Sequence, residues 1–141
     1  MSRTGKLSCS ASEFFGFISD IRNLEQFIPG GIITNWHATD DSCDFGVQSM
    51  GRVWMKIVEK IPFSAVSFSG NALERIDFSI NVQIQSDENF RAEVIIILTA
   101  DLNLILKGMA SGPIEKFLDI AITEMEKFEK WNRRSKDSRP L

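Results

Sequence analysis

From Ile32 to Leu102 apolar and polar residues alternate with period two, broken by turn-forming residues at hairpin spacing. The cleanest run sets Ile76, Phe78, Ile80, Val82 and Ile84 against Asp77, Ser79, Asn81, Gln83 and Gln85. Successive strand side chains point to opposite faces, so this run has one face for a core and one for water, the signature of an antiparallel sheet. Cys43, Phe45 and Val47 alternate likewise with Asp44, Gly46 and Gln48, and Val66 and Phe68 with Ser67 and Ser69. The pattern predicts strands over Ile32–Ala38, Cys43–Met50, Arg52–Lys60, Ala65–Gly70, Ile76–Gln85 and Phe90–Leu102. A short strand at Lys6–Cys9 would bring the number to seven. The strand Phe90–Leu102 is apolar on both faces in its middle, so Ile95 and Ile97 require a cover on the outer face, either a partner subunit or a wrap of the sheet itself.

Helical signals flank this region. Ser10-Ala11-Ser12-Glu13 fits a capping box, with the Ser10 hydroxyl and the Glu13 carboxylate each satisfying a backbone N–H of the first turn, ahead of Phe14, Phe15, Phe17 and Ile18. A second short helix, from about Asp20 to Ile28, must stop at Pro29-Gly30-Gly31. At the other end Gly112-Pro113 opens a long helix in which Ile114, Phe117, Leu118, Ala121, Met125 and Phe128 form one apolar stripe. Leu104–Ala110 is expected to be a shorter helix preceding it. The fold class is α+β: a curved seven-stranded antiparallel sheet wrapped around a long C-terminal helix, with two short helices after the first strand. Residues 1–131 form one domain and the polar segment 132–141 a frayed tail. A sheet bent round a single helix is hard to fill, so an apolar pocket is expected between them.

The 43% hydrophobic content suffices for such a core. A net charge of −3 argues against a nucleic-acid partner, which would select a basic stripe. The longest apolar run, Val94–Leu98, is far short of the ~20 residues of an integral membrane span. Met1 to Ser10 lack the apolar core of a secretory signal. Two cysteines, Cys9 and Cys43, are too few for a disulfide framework, which favours a cytoplasmic setting with free thiols; sequence alone leaves a single Cys9–Cys43 bridge open.

The stretch Asn35-Trp36-His37-Ala38-Thr39-Asp40-Asp41-Ser42-Cys43-Asp44-Phe45 contains the one histidine and three aspartates beside a cysteine. No recurring Cys/His spacing of a zinc site is present, and aspartates in a turn commonly hold turn backbone, so no metal site is assigned. Cys43 shares parity with Phe45 and Val47 and faces inward. His37 faces outward if Trp36 anchors its strand inward, although Ile33 and Trp36 can both point in only across a bulge. A His37–Cys43 dyad would need an electropositive pocket, and acids surround it. Asn35, Glu59, Asn81, Thr99 and Asp101 are the other polar residues able to face a pocket. Glu59 shares parity with Val53, Met55 and Ile57, so Glu59 and His37 are the two weak catalytic candidates, with a solvated strand-end glutamate as the plainer reading of Glu59.

The Pro-Gly break after the short helix, Asn35-Trp36, the hairpin Thr39 to Phe45, Met50-Gly51 and the run Lys56-Ile57-Val58-Glu59-Lys60-Ile61-Pro62 resemble the START-like, or SRPBCC, helix-grip superfamily. So does the passage from Leu102-Asn103-Leu104 through Met109-Ala110-Ser111-Gly112-Pro113 into the last helix. The likeness covers about residues 5–130, is strongest to small bacterial members, and extends to the polyketide cyclase/dehydrase-like and birch-pollen-allergen-like branches. It implies a cavity for a small apolar ligand that is lipid-, sterol- or polyketide-like; no cofactor is expected, and the chain is expected to be a monomer or homodimer. A cyclase- or dehydratase-like enzyme and a ligand-free dimerisation module using Ile95 and Ile97 are the alternatives. The glycine-rich loop of the plant allergens is replaced here by Asp40-Asp41-Ser42, and no acid/base pair of the cyclases maps onto the chain. Eleven Phe, three Trp and no Tyr suit a cavity with few polar anchors. Its expected lining is Trp36, Phe45, Met55, Phe68, Phe78 and Ile80 from the sheet, with Met109, Phe117, Ala121 and Met125 from the C-terminal region.

Overall fold

A computed structural model describes residues 2–28, 33–47, 51–72, 76–100, 111–129 and 131. Strand β1 (Ser2–Lys6) leads to helix α1 (Ala11–Ile18) and a 3-10 helix (Ile21–Phe27). Six strands follow: β2 (Ile33–Ala38), β3 (Ser42–Val47), β4 (Gly51–Ile61), β5 (Ala65–Ala72), β6 (Ile76–Ser86) and β7 (Ala92–Ala100). Helix α2 (Ser111–Lys127) closes the described chain, with Pro113 in its first turn. The strands form one antiparallel sheet in the order β1-β7-β6-β5-β4-β3-β2, a meander whose last strand pairs with the first. This is the helix-grip α+β arrangement. The expected Leu104–Ala110 helix, the strand ends at Asp101 and Leu102, and the tail 132–141 lie outside the described residues.

The local rules operate as read. Ser10 caps α1, its Oγ accepting from the Glu13 N–H at 3.1 Å while Glu13 Oε1 accepts from the Ser10 N–H at 2.9 Å. Residues 21–27 wind as a 3-10 rather than an α-helix, and Asp20 caps them by accepting from the Arg22 N–H.

The first strand differs from expectation: it runs over Ser2–Lys6, not Lys6–Cys9. Leu7 and Cys9 are buried as their alternation suggests, and past the regular ladder they still bond to β7, the Leu7 N–H donating to the Ala92 carbonyl at 2.9 Å and the Ala92 N–H to the Cys9 carbonyl at 2.6 Å. The true strand reads as polar because its inner face carries Gly5 and Arg3, which meet α2 directly. Gly5 allows that approach, since a Cβ there would stand 3.2 Å from Ile122 Cδ1. Arg3 forms ion pairs with Asp119 and Glu115 of the helix.

Two bulges re-aim side chains. In β2 one extra residue sits opposite Phe45, between the pairs Thr34–Gly46 and His37–Asp44, with Asn35 in the left-handed region at φ 52°. Ile33 and Trp36 thereby both come to the inner face. In β4 the pairing skips Val58, between Ile57–Phe68 and Glu59–Ser67. Every residue after Val58 therefore changes face relative to simple alternation.

Candidate functional site

The concave face of the sheet is filled unevenly. Near the β4–β5 and β6–β7 turns, α1 packs against β5, β6 and β7. An aromatic cluster closes the core beneath the end of α2: Trp131 lies 4.7 Å from Phe128, 5.1 Å from Phe17, 5.5 Å from Phe14 and 5.6 Å from Phe27, centroid to centroid. Toward the other end the side chains shrink to Ala72, Ala100 and Ala121, and a cavity of about 150 Å³ remains between sheet and helix. Phe68, Phe78, Ile80, Leu98 and Met55 form its floor, Phe117, Leu118 and Met125 its roof, and Leu24, Phe27 and Ile28 one wall. Every described residue that lines it is apolar. Among the described residues no polar or charged side chain is fully buried. The described lining can therefore hold hydrocarbon, and none of its side chains can transfer a proton.

Most of the expected lining residues come together there: Phe45, Met55, Phe68, Phe78, Ile80, Phe117, Ala121 and Met125. Met109 lies outside the described residues. Trp36 does not line the cavity. It sits on the edge strand, one strand beyond the hollow, and packs on Phe45 at 5.4 Å. Val53, Ile76, Ile96 and Leu98 also line it and could have been read from the parity of their strands. Ala72 and Ala100 carried no such signal, because a small residue marks a void only when its distant neighbours are known.

Neither catalytic candidate reaches the cavity. The extra residue Val58 turns Glu59 to the outer face opposite Ser67, where it is exposed. His37 is exposed on the outer face opposite Asp44, while Cys43 pairs with Ala38 and is buried inside. His37 and Cys43 thus lie on opposite sides of the sheet, and the dyad does not form. Burial pushes both thiols up, Cys9 and Cys43 each to about 12, so neither is a nucleophile near neutrality. Both cysteines are free. Of the other polar candidates, Asn81 is held by Ser67 Oγ at 2.7 Å, Asn35 and Thr99 are exposed, and Asp101 lies outside the described residues. Ile95 and Ile97 are half-buried on the outer face, opposite Thr4 and Ser2 of β1.

The Thr39–Ser42 segment is a turn organised by Thr39, whose Oγ1 accepts from the Ser42 N–H at 3.2 Å and donates to Asp41 Oδ1 at 3.0 Å. Its backbone ties the hairpin to neighbouring elements, since the Ile21 and Ile57 N–H groups donate to the Asp40 and Asp41 carbonyls, both at 2.8 Å. Beside it, His37, Asp44, Trp54 and Lys56 line a second depression of about 340 Å³, open to solvent on the outer face. Asp44 is engaged there by Arg52. Among the described residues no group of three or more His, Cys, Asp or Glu side chains is placed to hold a metal ion. No helix among them is long and apolar enough to cross a membrane.

No family model matches the sequence, and no curated protein does. Solved structures match the fold. A conserved protein of Geobacillus kaustophilus superposes with a TM-score of 0.70 at 11% identity, covering 89% of this chain and 91% of that one. A protein of Arthrobacter aurescens gives 0.70 at 14% identity over 89% and 82% of the two chains. A hypothetical protein of Sulfolobus tokodaii gives 0.66 at 13% identity over 97% and 98%. At these identities the likeness concerns the backbone architecture alone.

Proposed function

We propose that the protein belongs to the START-like helix-grip group and binds or carries a small hydrophobic ligand between its sheet and α2. The observation that carries this reading is the cavity of about 150 Å³ whose lining, among the described residues, is wholly apolar. A packed interior normally leaves few voids larger than a water molecule, so a hollow of this size forfeits contact energy unless something occupies it. The resemblance of the sequence to the START-like superfamily supports the same conclusion, since that superfamily houses lipid-, sterol- and polyketide-like molecules at this place. No catalytic step is assigned, because Glu59 and His37 both stand outside the cavity.

A thermal-shift series with hydrophobic probes of increasing size tests the proposal. A ligand at a hundred times its dissociation constant should stabilise the protein by about 2.7 kcal/mol. Ala121→Leu, which fills the hollow from α2, should abolish that shift. If no probe stabilises the wild-type protein, the proposal fails.

A further inference from the structure

We infer that the occupant of this cavity is a compact hydrocarbon-like molecule of about one substituted ring, with no charged or hydrogen-bonding group inside the protein, and that the Gly70–Phe78 pair sets its size limit. The inference rests on the ligand-binding reading and narrows it.

Chemistry is the first ground. Among the described residues that line the hollow there is no side-chain donor or acceptor, and the backbone of β4 to β7 is committed to the sheet ladders. A ligand hydroxyl placed there would give up its water partners and gain none, weakening binding by roughly ten- to a hundredfold. A carboxylate would lose more. Size is the second ground. Apolar cavities of about this volume stay dry and take up benzene. Pockets for drug-sized ligands run to roughly 300–1,000 Å³, so a fused-ring sterol body or a long acyl chain does not fit wholly inside without moving the walls.

The wall that matters most is Phe78. Gly70 and Phe78 are cross-strand partners on the inner face. A Cβ on Gly70 would lie 2.5 Å from Phe78 Cζ and 2.9 Å from Phe78 Cε1, so the ring rests on the bare glycine backbone. The same Cβ would stand 2.4 Å from the Trp54 carbonyl oxygen, so a side chain here also strains the β4–β5 pairing. Any side chain at position 70 must therefore drive the ring off the sheet and into the hollow. Glycine at this point keeps the cavity open, and the ring fixes how far it opens.

Titration calorimetry with benzene, toluene, butylbenzene, phenol, benzoate and decanoate tests the inference on the full chain. Benzene and toluene should bind, phenol about tenfold or more weakly than benzene, and benzoate and decanoate not measurably. Gly70→Ala should weaken toluene at least about tenfold. Because that variant can also unfold, Phe78→Ala provides the opposite perturbation: it should shift the preference from toluene to butylbenzene by about tenfold or more. Benzoate or decanoate binding as tightly as toluene would overturn the inference while leaving the ligand-binding proposal standing. An unchanged order of preference in Phe78→Ala would remove the size-limiting role. Failure of every probe, amphiphiles included, would defeat both.

Discussion

Trp131→Ala should be among the most damaging single substitutions available outside the cavity. The indole is 5% exposed and has four aromatic neighbours, Phe14, Phe17, Phe27 and Phe128, within 5.6 Å between centroids. Its Nε1–H donates to Ser8 Oγ at 3.2 Å, and Ser8 Oγ donates to the Phe128 carbonyl at 3.0 Å, so the ring ties the end of α2 to the segment after β1. Truncating a buried Trp to Ala costs about 3–5 kcal/mol, against a total stability of about 5–15 kcal/mol for a domain. Trp131→Phe retains a ring for those neighbours and loses mainly the N–H bond and part of the burial, a cost of about 1–2 kcal/mol. Urea unfolding followed by far-ultraviolet circular dichroism measures both losses without relying on the removed fluorophore. A loss below about 1 kcal/mol for Trp131→Ala, or equal losses for the two variants, would refute the role given to the cluster.

Cys9 and Cys43, with thiols pushed from 9.0 to about 12, should carry about a thousandfold less thiolate near pH 8 than free cysteine and stay unreactive to a thiol reagent in the native protein. Because their folded values lie above the unfolded one, the stability they contribute is complete below pH 9.0 and is lost as pH climbs toward about 12; urea midpoints should fall over that window. Asp87 accepts from the Arg91 N–H at 3.0 Å and the Asn89 N–H at 2.8 Å in the β6–β7 turn, which holds its carboxyl below the ordinary 3.8. Its contribution is present above pH 3.8 and lost as pH drops through the lower folded value, so Asp87→Ala should lower the urea midpoint near neutrality and cost progressively less below pH 3.8. Phe90 is 80% exposed and held at φ 63°, so Phe90→Gly should raise stability by up to about 1 kcal/mol in the same assay; a clear loss would mean the ring is anchored.

The features readable from sequence are those whose physics is local. Alternation from Ile76 to Ile84 names the inner face of β6 because neighbouring side chains on a strand must diverge. Ser10 and Glu13 announce the start of α1 because a helix N-terminus needs acceptors for its free N–H groups. The stripe Phe117, Leu118, Ala121 and Met125 identifies the face of α2 that roofs the cavity. Tertiary structure decided everything that depends on a partner far along the chain. The bulge at Val58 sent Glu59 outward, against the parity that placed it inside. The polar strand Ser2–Lys6 joined the sheet because α2 offers Asp119 to Arg3 and Ile122 to Gly5. Trp36 stayed out of the site because its strand lies at the sheet edge. The pocket was expected from the curved sheet and single helix, but its size was not: it is the volume left where Ala72, Ala100 and Ala121, apart in the chain, line one hollow with Phe78 resting against Gly70. A pattern of residues can say which way each side chain points, but a void belongs to no residue and exists only once the surfaces around it are brought together.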